Sequence, residues 1–210
     1  MSALPHFKHP PVIEVAMSVQ FERIEGLTTG HLGLLWDRYR ERFPHCEEQP
    51  GLETTLERFG EQRRGGPSVR IVTNPAADVR LWFLDDRKAE LLQVQHDRFI
   101  RNWRKSEQED DYPKYEEIKR RFQNDLTIFD QFLRSEQLPP IAPNQCELTY
   151  VNHITGSGIW EKHGEAARVF RFLRDQELER ELEIDDVRFN IRRRLLDDHG
   201  TPLGRLHLTV

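Results

Sequence analysis

Residues 90–117 constrain the fold more than any other stretch, because they join a strand pattern, a dense polar segment and the start of a long helix. Apolar and polar side chains alternate from Leu92 to Gln95, which is typical of a β-strand with one buried face. The alternation fails after about His96. We therefore predict that the chain bulges, bends or turns helical there before the helix begins.

The long helix is predicted to begin at Pro113, because proline at the first helical position gives up no intrahelical hydrogen bond. Glu116 and Glu117 fall in the first turn, where the helix dipole favours negative charge. Apolar residues then recur at steps of three and four: Ile118, Phe122, Leu126, Phe129 and Leu133. This stripe is broad enough to cover a sheet. Prolines 139, 140 and 143 are expected to end the helix.

Residues 12–21 form the first strand pattern, with one apolar face and one small, polar face. The polar face carries Glu14, Ala16, Ser18 and Gln20. We expect this face to be exposed, as in a half-solvated antiparallel sheet, with a shallow groove as the alternative. Thr28 or Thr29 is predicted to cap a following amphipathic helix that ends near Pro44.

The middle of the chain predicts a three-stranded antiparallel meander. Residues 45–66 give little pattern beyond a hint of a short element at Leu52, Leu56 and Phe59. Strands are predicted at Val69 to Thr73 and Val79 to Leu84, with turns at Asn74-Pro75 and Asp85 to Lys88. The strand that contains Leu92 completes the meander.

After these prolines the sequence repeats the same order of predicted elements in a shorter form. It predicts a strand from Cys146 to Ile154, in which Glu147 takes the place of Glu14, then a short helix around Ala166, and two strands around Phe189 and Leu208. The predicted fold is α+β: a curved antiparallel sheet covered by long helices, built from pseudo-duplicated β-α-β-β-β-α halves. It is TATA-binding-protein-like or helix-grip-like. Residues 1–140 form the first half and 141–210 an incomplete second half of one compact domain. We expect one strand and one helix to be missing from the second half.

Composition favours a globular, cytoplasmic protein. The 210 residues carry a net charge of −5, which gives no general attraction to nucleic acid. No apolar run is long enough to span a bilayer, and the N-terminal residues lack the apolar core of a signal peptide. Cys46 and Cys146 have no metal-binding spacing and are expected to be reduced thiols.

Several motifs together resemble an uncharacterised, sporadically distributed bacterial protein family. They are Pro10-Pro11-Val12 with Glu14-Val15, Gln95 with Asp97-Arg98-Phe99 and Asn102-Trp103-Arg104, Tyr112-Pro113 with Tyr115, and Cys146-Glu147-Leu148-Thr149-Tyr150 with Asn152-His153-Ile154. The resemblance covers most of the chain. It implies a longer protein than the present sequence, and it implies no activity, because the family has none established.

The candidate binding residues come from these motifs: Gln95, Asp97, Arg98, Asn102, Trp103, Arg104, Tyr112, Tyr115, Asn152 and His153. The planar guanidinium groups of the arginines can bind an anionic ligand, and the indole ring of Trp103 can stack on a planar one. In the alternative interpretation Trp103 fills the core, while Asp97 and Arg104 tie a loop together through charge-assisted hydrogen bonds.

We expect a non-enzymatic module that binds a small ligand or a protein, without a cofactor and without a membrane. A homodimer through an open sheet edge is a further possibility. The alternative is a metal-dependent hydrolase or nuclease that uses His96, Asp97 and His153. No motif spacing supports a metal, nucleotide or hydrolase site, so the sequence favours binding.

Overall fold

The computed structural model describes residues 7, 10–59, 79–107, 111–154, 158–173 and 186–210. The chain forms two compact units. The first comprises Met1–Leu56 and Arg63–His153, and the second comprises Glu57–Gln62 and Ile154–Val210. The predicted repeat boundary at residue 140 concerns internal duplication and stays a prediction.

The first unit is built on an open six-stranded sheet. Its strands are β1 (Val12–Phe21), β2 (His45–Pro50), β3 (Val79–Leu84), β4 (Glu90–Gln95), β5 (Arg98–Arg104) and β6 (Pro143–Asn152). Their order across the sheet is β2-β3-β4-β5-β1-β6, and every described pair is antiparallel. β2 and β6 are therefore the two edges of the sheet. The homodimer predicted through an open edge stays a prediction.

Two helices cover the apolar face of this sheet and form the hydrophobic core together with it. α1 (Thr29–Asp37) packs against β3, and α2 (Tyr115–Ser135) packs against β1 and β5. The core joins alternate residues of the central strands to the apolar stripe of α2, including Val15, Val19, Leu92, Val94, Phe99, Phe122 and Phe129. The α+β class and the antiparallel sheet are thus confirmed. Of the helices in the described residues, none has both the length and the apolar character needed to cross a bilayer.

A buried ionic cluster lies within this otherwise apolar layer. Arg101 on β5 is 2% exposed and forms ion pairs with Asp125 of α2, which is fully buried, and with Glu90 of β4. Arg42 also pairs with Asp125, and Arg121 pairs with Glu90. Because every charge here has an opposite partner, the cluster ties α2 to the middle of the sheet.

Tyr39 belongs to the same layer through its hydroxyl group, which donates a hydrogen bond of 2.7 Å to the main-chain oxygen of Asp125. Burial, followed by the negative charge of Asp125, raises the pKa of the Tyr39 hydroxyl above its ordinary range. The neutral phenol is therefore the form that donates this bond.

Glu117 in the first turn of α2 gives a pH-dependent contribution to stability. Hydrogen bonds from Arg120 and Arg121 lower the pKa of Glu117 to about 2. A carboxyl group with a depressed folded-state pKa stabilises the fold above its unfolded pKa of about 4.3, and this contribution is lost as the pH falls toward the folded value. Glu117→Gln should therefore be less stable than the wild-type protein near neutral pH and equally stable near pH 2.

Urea unfolding across this pH range measures the difference between the two proteins. Arg120→Gln is the matched variant, because it removes the hydrogen bonds of 2.7 and 2.9 Å that Arg120 donates to Glu117. The free energy of unfolding of Arg120→Gln should therefore depend on pH less than that of the wild type and more than that of Glu117→Gln. A stability difference between Glu117→Gln and wild type that stays constant with pH would contradict this assignment.

The second unit contains a two-stranded antiparallel ribbon and two short 3-10 helices. The ribbon strands are β7 (Asn190–Leu196) and β8 (Pro202–Thr209), and the 3-10 helices span His163–Arg168 and Arg171–Leu173. Phe189 makes edge-to-face contacts with Phe170 and Phe172, at centroid distances of 4.9 and 4.8 Å. These three rings pack against one another, although Phe172 is about half exposed.

Several elements differ from the sequence predictions. The chain turns at His96 and Asp97, as the predicted bend required, but residues 98–104 form strand β5 rather than a bulge or helix. Residues 45–50, for which no element was predicted, form edge strand β2. α1 ends at Asp37 rather than near Pro44, and the short helix around Ala166 is 3-10 helix. The physical reason for β5 is that both of its faces are buried, which removes the apolar and polar contrast.

The other predicted elements agree closely with the structure. Thr28 caps α1, accepting a hydrogen bond from the backbone of His31. α2 begins two residues after Pro113, and the ribbon turn falls between Leu196 and Pro202. The strand predicted at residues 69–73 and the turn at 74–75 lie outside the described residues.

Candidate functional site

The alternation of β5 separates the three consecutive residues that the sequence singled out. Asn102 and Arg104 point to the face of the sheet opposite the helices, whereas Trp103 points into the helix-covered core and is 8% exposed. The small polar side of β1 lies on the same face as Asn102, since Ala16 pairs with Asn102 and Glu14 with Arg104. We call this the polar face of the sheet.

The polar face was predicted to be exposed, and this was wrong. Gln20 is 1% exposed, and Ser18 is also buried. Gln93 and Gln95, the polar residues of β4, are buried as well. A buried amide costs free energy unless it is hydrogen-bonded, so the partners of these side chains determine what the face can do.

Gln93 is the centre of one hydrogen-bonded chain on this face. Its Oε1 accepts hydrogen bonds from Arg80 Nη1 at 2.8 Å and from Trp82 Nε1 at 3.1 Å. Its Nε2 donates to Asn102 Oδ1 at 2.7 Å, and Asn102 Nδ2 donates to Glu14 Oε1 at 2.5 Å. Because all donors and acceptors lie on strands, the chain of bonds fixes the side-chain rotamers.

Trp82 lies beside two guanidinium groups. The Cζ atom of Arg80 is 5.5 Å from the indole centroid and that of Arg104 is 5.4 Å from it. Arg104 Nε also donates a 3.1 Å hydrogen bond to Glu14. The indole ring therefore holds two cations at a defined spacing by cation-π attraction.

A second hydrogen-bonded group lies where β4 turns into β5. Gln95 exchanges two hydrogen bonds with the backbone of Leu52, at 2.9 and 3.1 Å, and donates to Asp97 at 2.5 Å. Thr54 donates to the other oxygen of Asp97. These bonds fasten the segment after β2 to the β4–β5 turn, which gives Gln95 and Asp97 a structural role.

Arg98 occupies the polar face near the same turn. It donates hydrogen bonds to Gln20 Oε1 and, at 3.3 Å, to the carbonyl oxygen of Glu53. Gln20 in turn donates to Asn144 Oδ1 at 3.2 Å. Arg98 is thus bound by neutral oxygen atoms.

The remaining predicted binding residues do not lie on the polar face. Tyr112 packs on Trp103 with ring centroids 5.7 Å apart, and its hydroxyl lies 3.3 Å from that of Tyr150. Burial, followed by the hydrogen bond with Tyr150, raises the pKa of Tyr112 above its ordinary range. Tyr115 is exposed at the start of α2. Asn152 pairs with Val12 at the end of β6.

The three residues of the alternative hydrolase or nuclease hypothesis, His96, Asp97 and His153, lie near opposite ends of β1. The carbonyl groups of His96 and Asp97 accept hydrogen bonds from the backbone around Phe21, whereas the backbone of His153 donates to Pro11 at the opposite end. The ten residues of β1 span roughly 30 Å at about 3.3 Å per residue. The structure therefore does not bring His153 to the other two side chains. Within the described residues, no three His, Cys, Asp or Glu side chains are grouped to hold a metal ion.

Sequence reasoning did not single out Arg80, Trp82 or Gln93 as site residues. The available signal was the repeated polar residue on neighbouring strands, Gln93 and Gln95 on β4 facing Asn102 and Arg98 on β5. Asp97 and Arg104, which the scaffold interpretation expected to tie a loop together, bind Thr54 and Glu14 respectively.

The fold and the site define an α+β protein with an open antiparallel sheet, one face of which is apolar and helix-covered and the other lined with amides and guanidinium groups. No family model matches the chain, and none of the curated proteins or solved structures compared with it gives a match.

Proposed function

We propose that this chain is a non-enzymatic binding module that recognises a small ligand or a partner protein through the polar face of its sheet. One observation carries the proposal: side-chain hydrogen bonds run from Arg80 through Gln93 and Asn102 to Glu14 and so cross the four adjacent strands β3, β4, β5 and β1.

Binding is the task for which such an arrangement is suited. Polar groups on strands, held by one another, present donors and acceptors in fixed positions, so little rotamer entropy is lost when a ligand docks. Catalysis would require in addition a nucleophile or base aimed at the reacting atom. The titratable residues proposed for that task, His96, Asp97 and His153, lie at the two ends of β1.

We also propose that the chain contains a pseudo-duplication about an axis between β1 and β6. Aligning Glu14 with Glu147 makes Thr149 the counterpart of Ala16, and these two residues are direct partners in the β1–β6 pair. The same alignment makes Val151 the counterpart of Ser18. It therefore maps the cross-strand pair Glu14–Val151 onto the cross-strand pair Glu147–Ser18. This register supports a twofold relation of the TATA-binding-protein-like or helix-grip-like kind.

We also propose that the protein is cytoplasmic. The exposure of both thiols, Cys46 and Cys146, and their free state are in keeping with a reducing compartment.

Native mass spectrometry of the untagged protein tests the binding proposal. Asn102→Leu removes the amide between Gln93 and Glu14, and Arg104→Gln removes a half-exposed cation from the same face. We expect both variants to bind a co-purifying molecule with a Kd about tenfold or more higher, which corresponds to a loss of about 1.4 kcal/mol.

The control is Gln131→Leu, an amide replacement at an exposed position of α2. It should bind as the wild-type protein does. Circular dichroism establishes that each variant is folded before binding is compared. If folded Arg104→Gln and Asn102→Leu retain full occupancy, the polar face is only a scaffold and the proposal is wrong.

A further inference from the structure

Two guanidinium groups on the polar face have no carboxylate partner among the described residues. Arg98 is 7% exposed, and it donates hydrogen bonds to an amide oxygen and a carbonyl oxygen. Arg80 donates to the amide oxygen of Gln93. The Nε atoms of both arginines are buried and, within the described part of the chain, have no hydrogen-bond partner.

Two carboxylates, one on the polar face and one at the β4–β5 turn, are bound to other groups. Glu14 accepts hydrogen bonds from Asn102 and Arg104, and Asp97 accepts them from Gln95 and Thr54. Burial, followed by the positive charge of Arg98, lowers the pKa of Arg80. The two cations therefore lie within electrostatic reach of each other, and no carboxylate in the described part of the chain pairs with either.

A buried charge without an opposite partner is costly, and so is a buried donor without an acceptor. An anion seated between Arg80 and Arg98 would remove both costs, since a planar guanidinium group presents donors that match the oxygens of a carboxylate or phosphate. A dianion would also balance the two positive charges.

We propose that Arg80 and Arg98 form the seat for a small dianionic ligand that carries a phosphoryl or dicarboxylate group. Gln93 fixes the position of Arg80, and Gln20 fixes that of Arg98, through the hydrogen bonds described above. The inference rests on the proposed function, because it specifies the chemistry of the ligand that the polar face binds.

Inorganic phosphate and malonate are the probes. Each is titrated against the protein at constant ionic strength, with chloride as the reference salt, while the Nε–H resonances of Arg80 and Arg98 are followed by NMR. We expect saturable shifts of both resonances and a saturable rise in Tm. The probe with the lower Kd identifies the group as phosphoryl or carboxylate.

Arg80→Gln separates this binding from the general stabilisation that phosphate gives to most proteins. It should weaken binding of the better probe by about tenfold or more. Arg134→Gln, which removes an exposed cation paired with Asp130 on α2, should leave the Kd unchanged.

The inference is overturned if neither probe shifts the two Nε–H resonances, or if Arg80→Gln binds phosphate as tightly as Arg134→Gln. It is also overturned if a short single-stranded oligonucleotide binds while phosphate and malonate do not. Failure of both probes alongside a co-purifying molecule that depends on Arg104 and Asn102 would reject the dianion and leave the binding module standing.

Discussion

Replacing Asp125 with alanine is expected to destabilise the protein by about 3 to 5 kcal/mol, the usual effect of breaking a buried ion pair from one side. The carboxylate is fully buried and binds both Arg101 and Arg42. Without it, the Arg101 side chain, 3% exposed, keeps only Glu90 as a partner. Most proteins are stable by only about 5 to 15 kcal/mol, so the loss is a large fraction of the total.

Asp130→Ala provides the matched control for this experiment. Asp130 lies on the same helix and pairs with the exposed Arg134, a type of pair worth about 0.5 kcal/mol or less. Urea unfolding of the two variants gives the comparison. Equal destabilisation by the two substitutions would contradict the account of the buried cluster. The double variant Arg101→Met, Asp125→Leu should regain much of the loss, because Glu90 keeps Arg121 as a partner and Arg42, which loses Asp125, is half exposed to solvent.

Phe129→Ala is expected to cost about 3 to 5 kcal/mol through the cavity that it leaves. Phe129 is completely buried between helix and sheet, with its ring stacked on Phe99 at 5.6 Å and 6.1 Å from Phe21. These contacts join α2 to both β5 and β1. The free energy of unfolding from urea or thermal denaturation measures the effect.

Phe129→Leu retains most of the volume and should cost clearly less than the alanine variant. Ile128→Ala offers a second comparison at the neighbouring half-buried position. A loss of about 1 kcal/mol or less for Phe129→Ala would mean that the helix does not cover the sheet as the structure describes.

The elements that the sequence predicted correctly are those in which apolar and polar residue types recur with one regular period. Residues 12–21 and 79–84 alternate along the strand, and the stripe from Ile118 to Leu133 has helical spacing. In each case apolar residues recur at the spacing of one face of the element, so one periodic pattern dominates.

β5 could not be predicted in the same way. Residues 91–100 are all buried, and Arg98, Arg101 and Asn102 are buried with them. Polar residues on one face and an ion-paired arginine on the other make the pattern irregular, although the backbone is an ordinary strand. The sequence therefore indicated the turn after His96 but not the central strand that follows it.

The site was predictable in its residue types and only partly in its membership. Asn102 and Arg104 were identified, but their partner Glu14 lies 88 positions from Asn102 in the chain, and only the strand order brings them together. Trp103 was identified for the site because it is adjacent in sequence. The pleat of β5 turns it into the core, as the scaffold interpretation anticipated for this residue.

The register of β5 between β4 and β1 is the claim on which the polar face depends, and cross-strand NOEs in a labelled sample measure it directly. We predict contacts that pair Asn102 with Ala16 of β1 on one side and with Leu91 of β4 on the other. Contacts shifted by one residue would bring Trp103 onto the face of Gln93 and move Asn102 into the core. That result would contradict the site, the proposed function and the anion seat together.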